Sequence, residues 1–199
     1  MPAEPVPPAN DPLKVTHLRG FGIFAFRATI LAGLPSDMQA SFLASLEAPS
    51  RELMLHPPSA EEWIPIERLQ EIRTVFSKQF GLRLDKVRGL TMASLLFSQP
   101  LFEPLKNTRN IATFLIQLPR IWEAYHRGGR AEATRLGPGW ARIAIQAKLP
   151  YPQYLEEVIP PAFQEVLNLF GLKGGQAKHT RPSCGDLAET HFYDLTWEP

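Results

Sequence analysis

The stretch IATFLIQLPRIWEAYHRGGRAEATRLGPGWARIAIQAKL, residues 111–149, decides the fold because its hydrophobic period changes partway along. Apolar residues in its first part recur at alternating steps of four and three, which predicts one helix face running to Gly128-Gly129. Pro119 inside that pattern predicts a kink or two abutting helices. Around Gly137-Pro138-Gly139 the alternation has a period of two, which predicts a β-hairpin of strands 130–136 and 140–149. The helical face comprises Ile111, Leu115, Leu118, Trp122 and Tyr125.

The sequence on the C-terminal side of this stretch predicts one more helix and two more strands. Apolar residues recur at helical spacing from Leu155 to Phe170, although Pro160-Pro161 interrupts the pattern, and Gly171 ends it. Residues 176–181 and 190–197 then read as two strands joined by a turn.

On the N-terminal side, the Phe- and Ile-rich residues 18–30 predict a strand. Ser36 is a good N-cap, and Gln39 three residues later completes a capping box for a helix. Residues 66–80 predict an amphipathic helix closed by Gly81, and residues 84–98 carry a weaker helical stripe. The order of strand, helices, hairpin, helix and two strands predicts an α+β fold, with helices packed on a small antiparallel sheet.

Composition predicts a single domain with an extended tail. The 199 residues include 20 prolines, five of them among the first twelve, so residues 1–14 read as a disordered Pro-rich tail and 15–199 as one α+β domain. The net charge of +1 argues against nucleic acid and membrane surfaces as partners. No signal peptide or membrane span is recognisable, and one cysteine suits a reducing compartment, so the expected location is the cytoplasm.

Few residues suggest reactive chemistry. His179, Cys184, Asp186 and His191 are the nearest approach to a metal site, but their spacing matches no standard zinc pattern and a polar turn explains them better. Cys184 as a nucleophile lacks an evident activating environment, and no GxSxG elbow or phosphate-binding glycine loop occurs. The prediction is therefore a protein that is not an enzyme and that carries no metal or cofactor.

A second group of residues suggests a binding pocket. Apolar and aromatic side chains on three predicted helices could line a pocket for a small hydrophobic ligand, although such a stripe at helical spacing is more often a plain packed core. His126 lies beside this stripe and could in principle bind heme iron, but a lone histidine near a helix end needs no such role. The candidate ligand-binding residues are Phe76, Phe97, Phe114, Leu118, Trp122 and Tyr125.

Motifs in a fixed order along most of the chain carry a resemblance to a known family. The sequence resembles an uncharacterised myxobacterial domain family of unknown function, which is distantly similar to 4-vinyl-reductase and heme-NO-binding-like sensor domains. The matching motifs are Arg19-Gly20, Leu34-Pro35, Glu62-Trp63-Ile64-Pro65, Pro119-Arg-Ile-Trp122, Tyr125, Gly129, Gly137-Pro-Gly139, Gly171, His179-Thr-Arg181, Gly185-Asp186 and Leu195-Thr-Trp197.

This resemblance implies a helical-plus-sheet sensor that binds a small molecule in a cavity and pairs as a homodimer. It does not carry over two features of the wider group. Members commonly have two cysteines in the last two strands, and phenol-sensing relatives hold zinc with them, but here Pro182 or Ser183 and His191 stand near those positions. The Tyr-x-Ser-x-Arg signature of the heme-binding relatives is also absent, so the resemblance does not imply heme.

The sequence thus predicts a non-enzymatic cytoplasmic sensor or regulatory domain with a small hydrophobic ligand between its helices and sheet. The alternative is a ligand-free adaptor module that binds a protein partner in a bacterial signalling or regulatory complex, with the Pro-rich tail as spacer.

Overall fold

The structure is a computed structural model that describes residues 11–24, 27–28, 34–81, 102, 105, 110–150, 154–180 and 189–199, apart from the side chain of Arg135. The helix predicted at 84–98 lies outside these residues. So do residues 1–10 of the predicted tail and most of the turn predicted between the last two strands.

Three very short strands form a sheet that the sequence did not predict. β1 (His17–Arg19) lies between β2 (Trp63–Pro65) and β3 (His126–Arg127) and is antiparallel to both. Leu18 of β1 is opposite both Ile64 and His126, and all three side chains are buried. Because side chains alternate across a strand, the residues flanking these three form the outer face of the small sheet.

The strand predicted at 18–30 is wrong at residues 21–24 and 27–28, which are helical, while residues 25–26 and 29–30 lie outside the described part of the chain. A helical turn follows at residues 21–24, where the backbone nitrogens of Ile23 and Phe24 both donate to the carbonyl oxygen of Gly20, at 2.9 and 3.2 Å. A Cβ on Gly20 would lie 2.2 Å from the carbonyl oxygen of Ser59, so the chain turns in close contact with the loop before β2. This tertiary contact overrides the β-propensity of the Phe- and Ile-rich run.

The next helices are α1 (Ser36–Ala44), α2 (Ala48–Leu55) and α3 (Ile66–Phe80), and α3 confirms the predicted helix with its end at Gly81. Gly81 has a φ of 62°, the left-handed conformation that glycine adopts readily. The capping box at Ser36 is wrong. Pro35 is the N-cap, Ser36 is the first helical residue, and the side chain of Gln39 donates to the carbonyl oxygen of Leu34 at 2.7 Å.

The stretch at 111–149 forms a helix and a hairpin. α4 (Ile111–Tyr125) runs through Pro119 as one helix rather than two, and it ends before His126, which is already extended. β4 (Arg130–Gly137) and β5 (Trp140–Gln146) confirm the predicted hairpin. Between helix and hairpin, Gly128 has a φ of 99°, and a Cβ there would lie 2.0 Å from the carbonyl oxygen of Lys14.

The C-terminal part confirms the predicted helix and both strands. A π-helical turn (Tyr154–Val158) leads into α5 (Ile159–Leu169), and the proline pair occupies the first helical turn, where no backbone N–H bond is lost. β6 (Gln176–Thr180) and β7 (Thr190–Thr196) join the hairpin in an antiparallel sheet of order β4-β5-β7-β6. The α+β fold class is therefore confirmed.

Residues 11–14, the end of the predicted tail, belong to the folded part of the chain. The backbone nitrogen of Lys148 donates to the carbonyl oxygen of Leu13 at 2.7 Å, and Gly129 donates to Pro12 at 2.9 Å. The ammonium of Lys148 also lies 2.9 Å from a carboxylate oxygen of Asp11. Residues 11–14 are thus held against the end of the hairpin by hydrogen bonds and an ion pair.

The two central strands of the larger sheet are joined by an ion pair. Arg142 on β5 is opposite Asp194 on β7, and its guanidinium donates to both carboxylate oxygens at 2.6 and 2.7 Å. This bidentate hydrogen bonding lowers the pKa of the Asp194 carboxyl below its usual value.

Replacing Asp194 with asparagine is expected to lower the free energy of unfolding by about 1 kcal/mol at pH 7, because the pair is partly exposed and solvent screens it. A carboxyl with a depressed folded pKa contributes stability above its unfolded pKa, near 4, and loses it as the pH falls further. Urea titrations should therefore show a smaller difference in the free energy of unfolding between the two proteins at pH 3 than at pH 7. Glu132→Gln, on the exposed part of β4, is the matched control and should have little effect.

Candidate functional site

A cavity of about 90 Å³ lies where α4, α5 and the small sheet meet, and we call it the α4–α5 cavity. α4 turns one face towards it because its apolar residues recur every three or four positions. These residues are Phe114, Leu118, Ile121, Trp122 and Tyr125.

The opposite side of the α4–α5 cavity comes from α5, the π-helical turn and the start of the chain. The α5 residues follow the same helical spacing, and Leu18 and Phe21 close the cavity from β1 and the turn after it. The lining from α5 consists of Ile159, Ala162, Phe163 and Val166. The cavity is thus almost wholly apolar, and water gains few hydrogen bonds inside it.

The lining also includes residues with polar groups, namely Arg19, Tyr125, His126 and Tyr154, and His126 is buried among them. Its Nδ1 lies 3.1 Å from the carbonyl oxygen of Trp122, and its Nε2 lies 3.1 Å from the hydroxyl oxygen of Tyr154. A carbonyl can only accept, so Nδ1 carries the proton and the Tyr154 hydroxyl donates to Nε2. The imidazole also stacks on the indole of Trp122, with centroids 3.7 Å apart and planes within 8°.

Burial decides the charge of His126. Removal from water lowers its pKa from the ordinary 6.5 to about 4, although the hydrogen bond to the Trp122 carbonyl opposes part of that change. His126 is therefore neutral at pH 7. The α4–α5 cavity consequently contains a neutral imidazole held in one tautomer by two hydrogen bonds.

Tyr125 forms the rim of the cavity next to His126. Its ring packs edge-on against Phe21, with centroids 5.8 Å apart, and lies 6.4 Å from Phe102. Burial raises the pKa of Tyr125 to about 12, although the nearby charge of Arg19 opposes the rise. Its phenol is therefore uncharged, and neither titratable ring in this region adds charge to the cavity at neutral pH.

The structure brings together four of the six residues predicted to bind a ligand. Phe114, Leu118, Trp122 and Tyr125 line the α4–α5 cavity, while their role in binding stays a prediction. Phe76 lies elsewhere, buried between α1 and α3 with its ring 5.5 Å from Phe42 and 4.8 Å from Phe80.

The sixth predicted residue, Phe97, lies outside the described residues. Sequence reasoning considered His126 only as a heme ligand and set it aside, and it missed Tyr154, because two single polar residues 28 positions apart have no periodic signal. The α5 lining was detectable, since Ala162 and Val166 belong to the apolar face predicted for that helix.

The histidines of the last two strands contact each other. His179 Nε2 and His191 Nδ1 are 2.9 Å apart, and the two rings stack with centroids 5.1 Å apart. Cys184 and Asp186, the other two candidate metal ligands, lie outside the described residues. In the described part of the chain, no three His, Cys, Asp or Glu side chains cluster closely enough to hold a metal ion.

Among the described residues, no helix combines the length and apolar character that crossing a membrane requires.

Comparison with known proteins identifies similar folds but no similar sequences. No protein-family model matches the chain, and no curated protein is significantly similar to it. A mutant H-NOX protein from K. algicida, in the Fe(II) unliganded state, superposes with a TM-score of 0.67 at 8% identity, covering 92% of this chain and 97% of that one.

Two further solved structures agree. The IWP-051-bound H-NOX from Shewanella woodyi, in the Fe(II)CO state, has a TM-score of 0.66 at 15% identity and covers 90% of this chain and 94% of its own. A structure in which heme distortion in the H-NOX family was probed has a TM-score of 0.67 at 10% identity, with coverage of 92% and 96%. At these identities the similarity is one of fold, and the chain has an H-NOX-like fold.

Proposed function

We propose that this protein is a non-enzymatic sensor or regulatory domain that binds a small apolar ligand in the α4–α5 cavity. The observation that carries the proposal is a cavity lined by apolar side chains from α4 and α5 within the buried hydrophobic core. Protein interiors are close-packed, so a void of this size has a cost unless a ligand uses it. H-NOX proteins solved in the Fe(II), Fe(II)CO and IWP-051-bound states share this fold, which supports a ligand-binding role.

Heme, which those neighbours imply, does not fit the residues present. The cavity of about 90 Å³ is far below the roughly 300 to 1,000 Å³ of sites for cofactors and drug-sized ligands. His126 Nε2, the atom that would face iron, instead accepts a hydrogen bond from Tyr154. The indole of Trp122 covers one face of the same imidazole. The proposed ligand is accordingly small and binds without heme.

The size and chemistry of the cavity narrow the ligand class. An engineered apolar cavity of about 150 Å³ in another protein stays dry and binds benzene or xenon, so the α4–α5 cavity suits ligands of about that size or smaller. The surface of the cavity is almost wholly apolar, and His126 and Tyr125 are both uncharged at neutral pH. Arg19 also belongs to the lining, but its guanidinium donates to the backbone carbonyl oxygens of Ala124 and Glu61. A neutral, apolar molecule with few heavy atoms is therefore the best match.

Native mass spectrometry of protein purified gently from its producing cells tests the proposal directly. We expect an extra mass, below that of heme, which disappears on denaturation. An apo protein that also gains no thermal stability from xenon or benzene would contradict the proposal. The same spectrum reports the subunit count, and the homodimer expected from the sequence is part of this proposal.

Replacing Ala162 with leucine should fill the cavity, so that ligand binding is lost while the protein still folds. Ala162 is on α5 with its side chain towards the cavity, so the added methyl groups occupy empty space. We expect the free energy of unfolding to rise by about 1 kcal/mol, as cavity-filling substitutions commonly give. Ligand retention and the benzene-induced rise in Tm should disappear together.

Ala40→Leu is the matched control, because Ala40 lies on the exposed side of α1. It should leave both ligand retention and the benzene response unchanged. A stable Ala162→Leu protein that still carries the ligand in full would show that the ligand binds elsewhere.

The second candidate, an adaptor module that needs no ligand, is favoured by one surface feature. Two arginines contact one tryptophan on the outer face of the small sheet. Such residues dominate protein–protein interfaces. An adaptor function is compatible with the sensor proposal, because sensor domains act through partners. The cytoplasmic location expected from the sequence is part of both proposals.

A further inference from the structure

The outer face of the small sheet concentrates positive charge on one aromatic ring. Arg19 on β1 is directly opposite Trp63 on β2, and Arg127 is on β3, at the other side of β1. The guanidinium carbon of Arg19 lies 4.1 Å from the centre of the Trp63 ring, and that of Arg127 lies 4.6 Å from it. We call these three residues the Arg–Trp–Arg face.

Neutral backbone groups are the hydrogen-bond acceptors that the described residues offer to the Arg19 guanidinium. Arg19 Nε donates to the carbonyl oxygen of Ala124 at 2.9 Å, and Nη1 donates to the carbonyl oxygen of Glu61. Both acceptors are neutral backbone groups, so they fix the side chain without cancelling its charge. Neither arginine forms an ion pair with any residue in the described part of the chain.

The two guanidinium groups repel each other across one ring, and a partner that carries negative charge could remove this unfavourable free energy. Two like charges close to the same ring repel each other, and the ring quadrupole offsets only part of that repulsion. Arg127 is exposed, while Arg19 and Trp63 are partly buried. A rigid aromatic ring beside ordered arginines matches the composition of interface hot spots, in which Trp, Tyr and Arg predominate.

We propose that the Arg–Trp–Arg face binds an acidic peptide segment of a partner protein, with carboxylates paired to Arg127 and Arg19 and an aliphatic stem on Trp63. Guanidinium and carboxylate groups match in shape as well as charge, because two parallel N–H bonds meet two oxygens. This proposal rests on the outer face of the small sheet and not on the ligand proposed above, although Arg19 also belongs to the lining of the α4–α5 cavity.

A nucleic acid is a poorer match for this face. Proteins that bind phosphate chains carry an excess of Lys and Arg over a wide surface, whereas this chain has a net charge of +1. Binding of single strands also uses several aromatic platforms in succession, and here the two arginines share one ring. Local charge complementarity to a short acidic segment needs only what the Arg–Trp–Arg face provides.

Fluorescence anisotropy with a labelled peptide of alternating glutamate and alanine tests the proposal on the full chain. We expect saturable binding that weakens as salt is raised, and no binding of the same peptide with glutamine in place of glutamate. Arg127→Gln and Trp63→Leu should each weaken binding about tenfold. Arg130→Gln is the matched control. Arg130 is exposed on β4 and donates to a side-chain oxygen of Gln146, so the variant removes the same charge away from Trp63.

Circular-dichroism melts of each variant establish that it is folded, and Arg127→Lys, which keeps the charge but not the planar fork, should bind with intermediate affinity. Four results would overturn the proposal. The first is the absence of peptide binding at low salt, and the second is equal affinity for the glutamine peptide. The third is an equal loss for Arg127→Gln and Arg130→Gln, and the fourth is displacement of the peptide by inorganic phosphate or a single-stranded oligonucleotide at lower concentration than unlabelled peptide.

Discussion

Replacing Trp122 with alanine is expected to lower the free energy of unfolding by about 4 kcal/mol, within the range for large aromatic residues removed from cores. Trp122 is 4% exposed, and its Nε1 donates to the carbonyl oxygen of Gly128 at 3.1 Å. Its ring also stacks on His126 at 3.7 Å, so the substitution removes packing from two sides. Urea titration of both proteins at pH 7 measures the difference.

The same variant should respond to a ligand that replaces what was removed. Trp122 lines the α4–α5 cavity, so its truncation enlarges an apolar space next to α5. Indole should then raise the Tm of Trp122→Ala and leave that of the unsubstituted protein nearly unchanged. Trp140→Ala is the control, because Trp140 is 38% exposed at the hairpin and should cost about 1 kcal/mol or less. A cost near 1 kcal/mol for Trp122→Ala as well would contradict the packing described here.

Periodicity explains which elements could be predicted. α3, α4, α5 and the hairpin each extend over at least two periods of their pattern, so a run of apolar residues identifies them. β2 and β3 contain three and two residues, respectively, and no pattern can show in so few positions. They exist because β1 pairs with both and because Leu18, Ile64 and His126 share one buried face.

The candidate site likewise has one part that could be predicted from the sequence and one part that could not. Its apolar lining from α4 was predictable, because those residues form one helical face in the sequence. Phe76 has the same spacing on α3 but packs against Phe42 and Phe80, and only the tertiary arrangement distinguishes the two cases. The pairing of His126 with Tyr154 likewise depends on where the π-helical turn meets β3, which no local rule specifies.

Acidification from pH 7 to pH 4 is expected to remove about 3 kcal/mol of stability through His126 alone. Its folded pKa is about 4 against an ordinary value of 6.5, so the unfolded chain binds a proton across this interval and the folded chain binds little. Stability therefore rises with pH between 4 and 6.5. The contribution is fully present above pH 6.5, and it is lost as the pH falls towards 4.

Comparing the protein with His126→Gln isolates this effect, because glutamine keeps a polar side chain but cannot be protonated in this range. The variant should be less stable at pH 7, where the two hydrogen bonds and the stacking on Trp122 are weakened. Its loss of stability between pH 7 and pH 4, measured by urea titration, should nevertheless be smaller than that of the unsubstituted protein by about 3 kcal/mol.

His56→Gln is the control for the loss of an imidazole, because His56 is exposed at the end of α2. Identical pH dependence in His126→Gln and the unsubstituted protein would mean that His126 takes up its proton without unfolding. That result would require water or an anion to reach the imidazole between Trp122 and Tyr154. The α4–α5 cavity would then be open to polar molecules, and the proposal of an apolar ligand would fail together with this prediction.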